Sequence, residues 1–331
     1  MKTTDKKFDK PAFTIVELLT VMSIIVILIT LLVPSLNMAK RYAKNVRQRA
    51  QFHSVGMALD AFSADWDGYP NSDRYDDAAT PVAYCGAMKL AEAMLGQDLL
   101  GFHPSSRFRS DGTDGTGAGT PLYPVVAATP AYAENVKSRK GPYLPLENAN
   151  AYKIKYLYGK DKSTVLDQEK FVLCDVYGRV TLQPDPAETQ KVSGKAGMPI
   201  LYYKANVQGT QLPVSKGGIT NSTIPTKDPD PLYIYNHFNN NDLVRLGMPW
   251  DTSVPKAAHP MASDDTGASG GTDLRGNTAT AFNFYNRIWN EKIYNSTTNI
   301  FRPYRSDSYI LMSAGFDGEY GTPDDIFNFG E

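Results

Sequence analysis

Between Phe13 and Leu36 the chain reads FTIVELLTVMSIIVILITLLVPSL, 24 residues carrying a single charge, Glu17. Such a stretch has few ways to fold. About 20 residues at about 1.5 Å rise cover the roughly 30 Å hydrocarbon core of a bilayer, so the run is a candidate transmembrane helix. A carboxylate in that setting is costly and usually has a partner and a purpose. Twelve mostly polar residues precede the run, MKTTDKKFDKPA, in which four lysines outnumber two aspartates. A secretory signal has a shorter apolar stretch, about 7–15 residues, and a small-residue cleavage site after it. Here NMAKRYAKNVRQR follows, and the small residue, Ala12, stands before the run. A plain single-pass anchor fits the apolar length. It explains neither Glu17 nor Pro34, which would remove a helical hydrogen bond near the end of the run.

The segment K-x-x-x-P-A-F-T-I-V-E-L-L-T-V, ending at Val21, resembles the class III signal of type IV pilins and type II secretion pseudopilins. The resemblance implies a leader, residues 1–12, cut between Ala12 and Phe13 by a prepilin peptidase, with N-methylation of the freed Phe13 amine. It also implies the Glu that lies four residues beyond the Phe, here Glu17, and the proline that family members carry 21 residues after the Phe, here Pro34. Ala12 departs from the usual Gly and is its nearest substitute in size. The family role of Glu17 is assembly. The carboxylate is expensive in lipid unless neutralised, and the Phe13 amine of a neighbouring subunit would neutralise it. Such a pair sets register more than it adds stability. A Glu17 that snorkels to water without a partner is the bland alternative.

Topology pulls two ways. Lys40, Arg41, Lys44, Arg47 and Arg49 follow the apolar run with no acid before Asp60. Taken alone, the positive-inside rule places the large domain in the cytoplasm. The resemblance places the N-terminus in the cytoplasm and the domain in the periplasm, with the inner membrane crossed once, and the motif is preferred because the peptidase acts on a cytoplasmic leader. The net charge of the whole chain is −1, so no basic field marks a nucleic-acid binder. Cys85 and Cys174 are the only cysteines; a pair in an oxidising compartment and two buried thiols are both open. CxxC, HExxH, P-loop and G-x-S-x-G motifs do not occur, and His53, His103, His237 and His259 are scattered.

Helical spacing continues past Pro34. Ala39, Ala43, Val46, Ala50 and Met57 fall mostly on one stripe, and Val55, Leu59 and Phe62 extend an adjacent face. The pattern stops at DWDGYP, where Gly68 permits positive φ and Pro70 blocks further helix. The expected division is a transmembrane part, 13–36, an amphipathic continuation, 37–67, and a globular domain, 68–331. An unbroken helix from Phe13 to Asp65 would be about 80 Å long. Beyond it, Pro81–Leu99 reads as helix with Gly96 as a cap. Lys153–Tyr158, Lys170–Asp175, Tyr177–Leu182 and Pro199–Tyr203 read as short strands, with DVYG as a hairpin turn between the second and third. Ser110–Pro121, Asp228–Pro231 and Ala262–Asn277 read as loops. The expected fold is α+β, a pilin-like long N-terminal helix on a small antiparallel sheet with large irregular insertions. The resemblance covers roughly the first 70 and last 25 residues and leaves the middle uncovered.

The tail, YILMSAGFDGEYGTPDDIFNF from Tyr309, is a strand-like run followed by carboxylates among glycines. Hard oxygen donors on a flexible turn suit Ca²⁺, which takes 6–8 oxygens at about 2.3–2.6 Å. The spacing is not that of an EF-hand. It resembles the calcium loop of major type II pseudopilins, S-x-G-x-D-G-x-x-G-T-x-D-D-I, matched here by residues 313–326. That resemblance implies Ser313, Asp317, Asp324 and Asp325 as metal ligands; an acidic turn without metal is the alternative. The leading expectation is a structural, non-enzymatic pseudopilus subunit that polymerises with itself and works with a prepilin peptidase and an inner-membrane assembly platform in protein secretion. The alternatives are a minor pilin of a type IV pilus, or a membrane-anchored periplasmic binding module whose aromatics, Trp250 and Trp289 among them, stack on sugars.

Overall fold

The computed structural model describes residues 14–116, 119–123, 130–160, 165–189, 191–213, 232–253, 256–264, 269–293, 297 and 301–330. They fall into two compact units that part between Val46 and Arg47. Helix α1, Ile15–Trp66, contributes to both and keeps Pro34 inside it.

In the first unit the helix stands without cover. Its most apolar 18-residue window has a mean hydropathy of 2.8, and none of that window is buried. Ile15, Leu19, Leu31 and Leu32 are all more than 60 % exposed. By length and composition this helix is able to cross a membrane, and water alone is a poor solvent for it.

In the second unit α1 presents Phe52, Val55, Ala58, Leu59 and Phe62 to a core, with Gln48 and Gln51 buried beside them. The burying face is therefore the Val55, Leu59 and Phe62 side. Ala39, Ala43, Val46, Ala50 and Met57, the first expected stripe, are exposed. Phe62 meets the rings of Trp66, Phe102 and Tyr143 at 5.0–6.2 Å, and its truncation to Ala would cost roughly 3–5 kcal/mol. Helix α2, Gly86–Leu95, is narrower than the span read from sequence and ends at Gly96, whose φ of 80° suits a residue without Cβ. Helices α3, Pro130–Ser138, and α4, Leu146–Ala149, follow.

Among the described residues the strands form three small antiparallel sheets. Strands β1, Ala151–Lys153, and β2, Phe171–Leu173, pair with Tyr152 opposite Val172. Between them Ile154–Tyr158, expected as strand, is helix α5. Its IKYLY sequence is rich in β-favouring Ile and Tyr, but Lys155 Nζ is held by Glu169, Glu188 and Asp185 at 2.6, 2.7 and 3.3 Å. Strands β3, Val180–Thr181, and β4, Lys195–Ala196, make the second sheet. The expected hairpin across DVYG is absent: β2 pairs with β1 and β3 with β4. Asp175 instead closes the turn locally, its Oδ1 accepting the Tyr177 N–H.

The third sheet has the order β5, Leu201–Lys204; β6, Tyr309–Ser313; β7, Ile326–Phe327. Its side chains alternate between two cores. Tyr202, Tyr309 and Leu311 join the cluster that contains the buried residues of α1. Leu201, Tyr203, Ile310 and Met312 join a second cluster with Phe284, Tyr285 and Met261. The middle of the chain thus covers the sheet face that α1 leaves open, which is why YILMS is apolar without alternation. Helix α6, Phe238–Val244, ties this cover down through polar groups. Asn240 accepts the Ala87 N–H at 2.8 Å and donates to the Tyr202 carbonyl at 2.7 Å. Asp242 takes both arms of Arg74 at 2.7 Å under almost complete burial. Helix α7, Phe282–Ile288, completes the cover.

Candidate functional site

Two places carry the residues singled out in the sequence. The first is the start of α1. Ala12 and Phe13 lie outside the described residues. Thr14 precedes the first helical residue, and its carbonyl accepts the Leu18 N–H at 3.2 Å. Its hydroxyl accepts the Glu17 N–H at 3.2 Å, and Glu17 Oε2 accepts both the Thr14 N–H at 3.0 Å and the Thr14 hydroxyl at 2.8 Å. This is a capping box, two orphan helix-end donors satisfied reciprocally. Its signature, Thr-x-x-Glu before an apolar run, stands in the sequence at Thr14 and Glu17. Glu17 therefore has a partner within its own chain, while the surface around it is apolar and exposed.

The second place is the turn between β6 and β7. Ser313 is fully buried at the end of β6, and its hydroxyl donates to Asp175 Oδ2 at 2.8 Å. Asp324 folds back over the turn. Its Oδ2 accepts the N–H groups of Phe316 and Asp317 at 2.9 and 3.0 Å, and its Oδ1 accepts the Thr322 hydroxyl at 2.7 Å. Asp317 Oδ1 accepts the Glu319 N–H at 2.9 Å. Burial, and then the Asp324 carboxylate alongside, push the Asp317 carboxyl up to about 6. Asp325 is 9 % exposed; its Oδ2 accepts the Gly321 N–H at 2.9 Å, while its Oδ1 is buried with no hydrogen-bond partner. Burial drives its carboxyl well above the ordinary range.

The turn is walled by the middle of the chain. Met261 donates its N–H to the Tyr320 carbonyl, and the Tyr320 N–H donates to His259 Nδ1, each at 3.2 Å. Gly318, at φ 75°, lies so close to the Trp250 ring that a Cβ there would come within 2.5 Å of it. The Arg179 guanidinium stacks on the same indole at 4.9 Å. Arg275 reaches Glu319 at 2.9 Å and Asp317 at 3.6 Å. Sequence reading missed Arg275, Trp250 and Asp175 as neighbours of the tail, because nothing local in the sequence brings them there.

The donor chemistry, hard carboxylate oxygens with one of them buried and unpaired, fits a divalent cation. The carboxylates are not gathered into a ready-made cage: no group of three or more His, Cys, Asp or Glu placed to hold a metal occurs among the described residues. His237 and His259 are buried and held neutral, their imidazoles pulled down to about 3 by desolvation. Cys85 and Cys174 are buried free thiols, and burial pushes the Cys85 thiol up to about 12. Trp289 packs on Phe301 with ring centres 5.2 Å apart. Compared with known proteins, the chain matches no family model, no curated sequence and no solved structure.

Proposed function

We propose that the chain is a structural subunit of a prepilin-processed filament, in which the first unit supplies a membrane-stored assembly helix and the second a globular cap. The observation that carries this reading is the apolar half of α1, long enough to span a bilayer and exposed over its most apolar window. Lipid stores such a surface, and stacked copies of the same helix bury it on assembly. The Phe13 to Glu17 spacing and the basic residues before it support processing and methylation at Phe13. In this reading the N-terminus is cytoplasmic, the body periplasmic, and the assembly partners are other copies, a prepilin peptidase and an inner-membrane platform.

Within that class, the tail favours a type II secretion pseudopilin. Asp317, Asp324 and Asp325 would hold one Ca²⁺, with the Ser313 segment beside them supplying backbone oxygen. The ion would offset like charges that now sit together and would satisfy Asp325 Oδ1. The role is structural: a cross-linked turn fixes β7 against β6. Mass spectrometry of the membrane-extracted protein tests the proposal at its root. A chain beginning at a methylated Phe13 is the expected result. An intact Met1, or a cut after Leu36, would overturn it.

A further inference from the structure

The Arg287 charge acts on Asp325, and Arg275 is the cation that meets Asp317 and Glu319. Its turn is built to deliver it. Asp273 Oδ1 accepts the N–H groups of Arg275 and Asn277 at 2.9 and 2.7 Å, and its carbonyl accepts the Gly276 N–H at 3.1 Å. The guanidinium then bridges two carboxylates of the tail, Nη1 to Glu319 Oε2 at 2.9 Å and Nη2 to Asp317 Oδ2 at 3.6 Å. Asp273 itself lies 3.9 Å from Nη1. Oδ2 is the Asp317 oxygen beside this guanidinium, since Oδ1 accepts the Glu319 N–H. The Arg275 side chain is half exposed, so it can leave for water without a burial penalty.

We propose that Arg275 is a built-in competitor for the tail's cation: it occupies Asp317 when the metal is absent and sets how tightly the loop takes the ion. This rests on the calcium reading above. A guanidinium a few ångströms from a divalent ion repels it and shares an oxygen the ion needs. Calcium affinity follows the number and charge of the oxygens free to bind. Arg275 therefore weakens the site, and metal entry displaces it from Asp317 while Glu319 retains it. The exchange also carries the state of the tail into the middle of the chain, because the turn holding Arg275 belongs to the wall that packs on β5 and β6.

Trp250, in contact with Gly318, reports the exchange. Full-length protein in detergent, stripped with chelator, is titrated with calcium chloride and followed by tryptophan fluorescence and calorimetry. Arg275→Gln is expected to lower the Kd at least tenfold relative to wild type. Arg275→Lys keeps the charge but not the fork that bridges two carboxylates, so its Kd falls between those of wild type and Arg275→Gln. Arg275→Met, which keeps the aliphatic stem, gives the same reading as Gln should that variant fold poorly. Equal Kd values for wild type and both uncharged variants overturn the inference and leave the calcium site standing. Binding by Arg275→Gln alone supports it in its strongest form. No binding by any of the proteins removes the calcium reading and this inference with it.

Discussion

From Ile15 to Leu36 apolar side chains stand in the open, whereas between Ser313 and Ile326 the carboxylates of Glu319 and Asp325 are buried and those of Asp317 and Asp324 half-buried. The first arrangement leaves oil against water, and the second leaves charge away from water. In an ordinary body neither survives unless something completes it, and the remedies differ in kind. A bare apolar helix needs area, which lipid or a second copy supplies without fine geometry. A buried, unpaired carboxylate needs one charge at one place. Arg74 and Asp242 show the solved version of the second problem: two charges equally buried, bonded in both arms. On the proposed reading, the helix serves assembly and the tail takes a small cation.

The largest expected effect falls on the apolar side. Glu17→Leu should leave insertion and the body intact while abolishing filaments, because on the proposed reading the carboxylate pairs with an amine of the neighbouring subunit and sets register between copies. Filament yield on overexpression measures it. Normal filaments from Glu17→Leu would detach Glu17 from assembly.

Next in size is the paired charge of the body. Arg74→Met strands Asp242 in the interior and should cost roughly 3–5 kcal/mol of stability, read by denaturant unfolding of the full chain. Asp325→Asn is the matching change at the unpaired site. In metal-free protein it should cost little, since burial already holds this carboxyl well above the ordinary carboxylate range and Asn keeps its shape. A large loss from Asp325→Asn without metal would mean that Asp325 already has a partner, and the comparison between the two sites would collapse.

How much of this was legible follows the same division. α1 was readable from its period and from DWDGYP, because local chemistry decides both the run and its stop. β6 was readable as an apolar run of strand length, although its burial on both faces was not. α5 was misread because IKYLY is rich in β-favouring residues, and the three carboxylates that hold Lys155 come from later in the chain. α6 was invisible: four consecutive polar residues, Asn239 to Asp242, are buried between Phe238 and Leu243, and hydropathy cannot mark a helix buried so largely through hydrogen bonds. At the tail the carboxylates were legible and their wall was not. Arg275, Trp250 and His259 reach it only through the packing of the middle segment on the sheet.

Calcium gives a smaller and more selective effect. An ion bound only by the folded state adds RT ln(1 + [L]/Kd), about 2.7 kcal/mol at a hundred-fold excess over Kd. Metal-stripped protein should therefore melt higher in millimolar-range calcium than in chelator, and Asp324→Ala should erase the difference. Calorimetric melting of the full chain in detergent reads it. Identical curves in calcium and chelator would reduce the tail to an acidic turn, and the carboxylates would then owe their burial to the backbone N–H groups they accept.

The smallest effect separates the two roles open to Glu17. Its carboxylate caps its own helix through Thr14, and the same oxygens are those an amine of a neighbouring copy would seek. Thr14→Ala removes the hydroxyl and leaves the carboxylate. Loss of a Thr cap costs about 1 kcal/mol, confined to the first turn, so the expected outcome is faster hydrogen exchange at the N–H groups of residues 15–17 with filament yield unchanged. If Thr14→Ala depresses filaments as strongly as Glu17→Leu does, the carboxylate acts by capping its own helix, and the register between copies must be set by the apolar surface alone. If only Glu17→Leu does so, the charge serves the neighbour, and the capping box is how the isolated subunit holds that charge until a neighbour arrives.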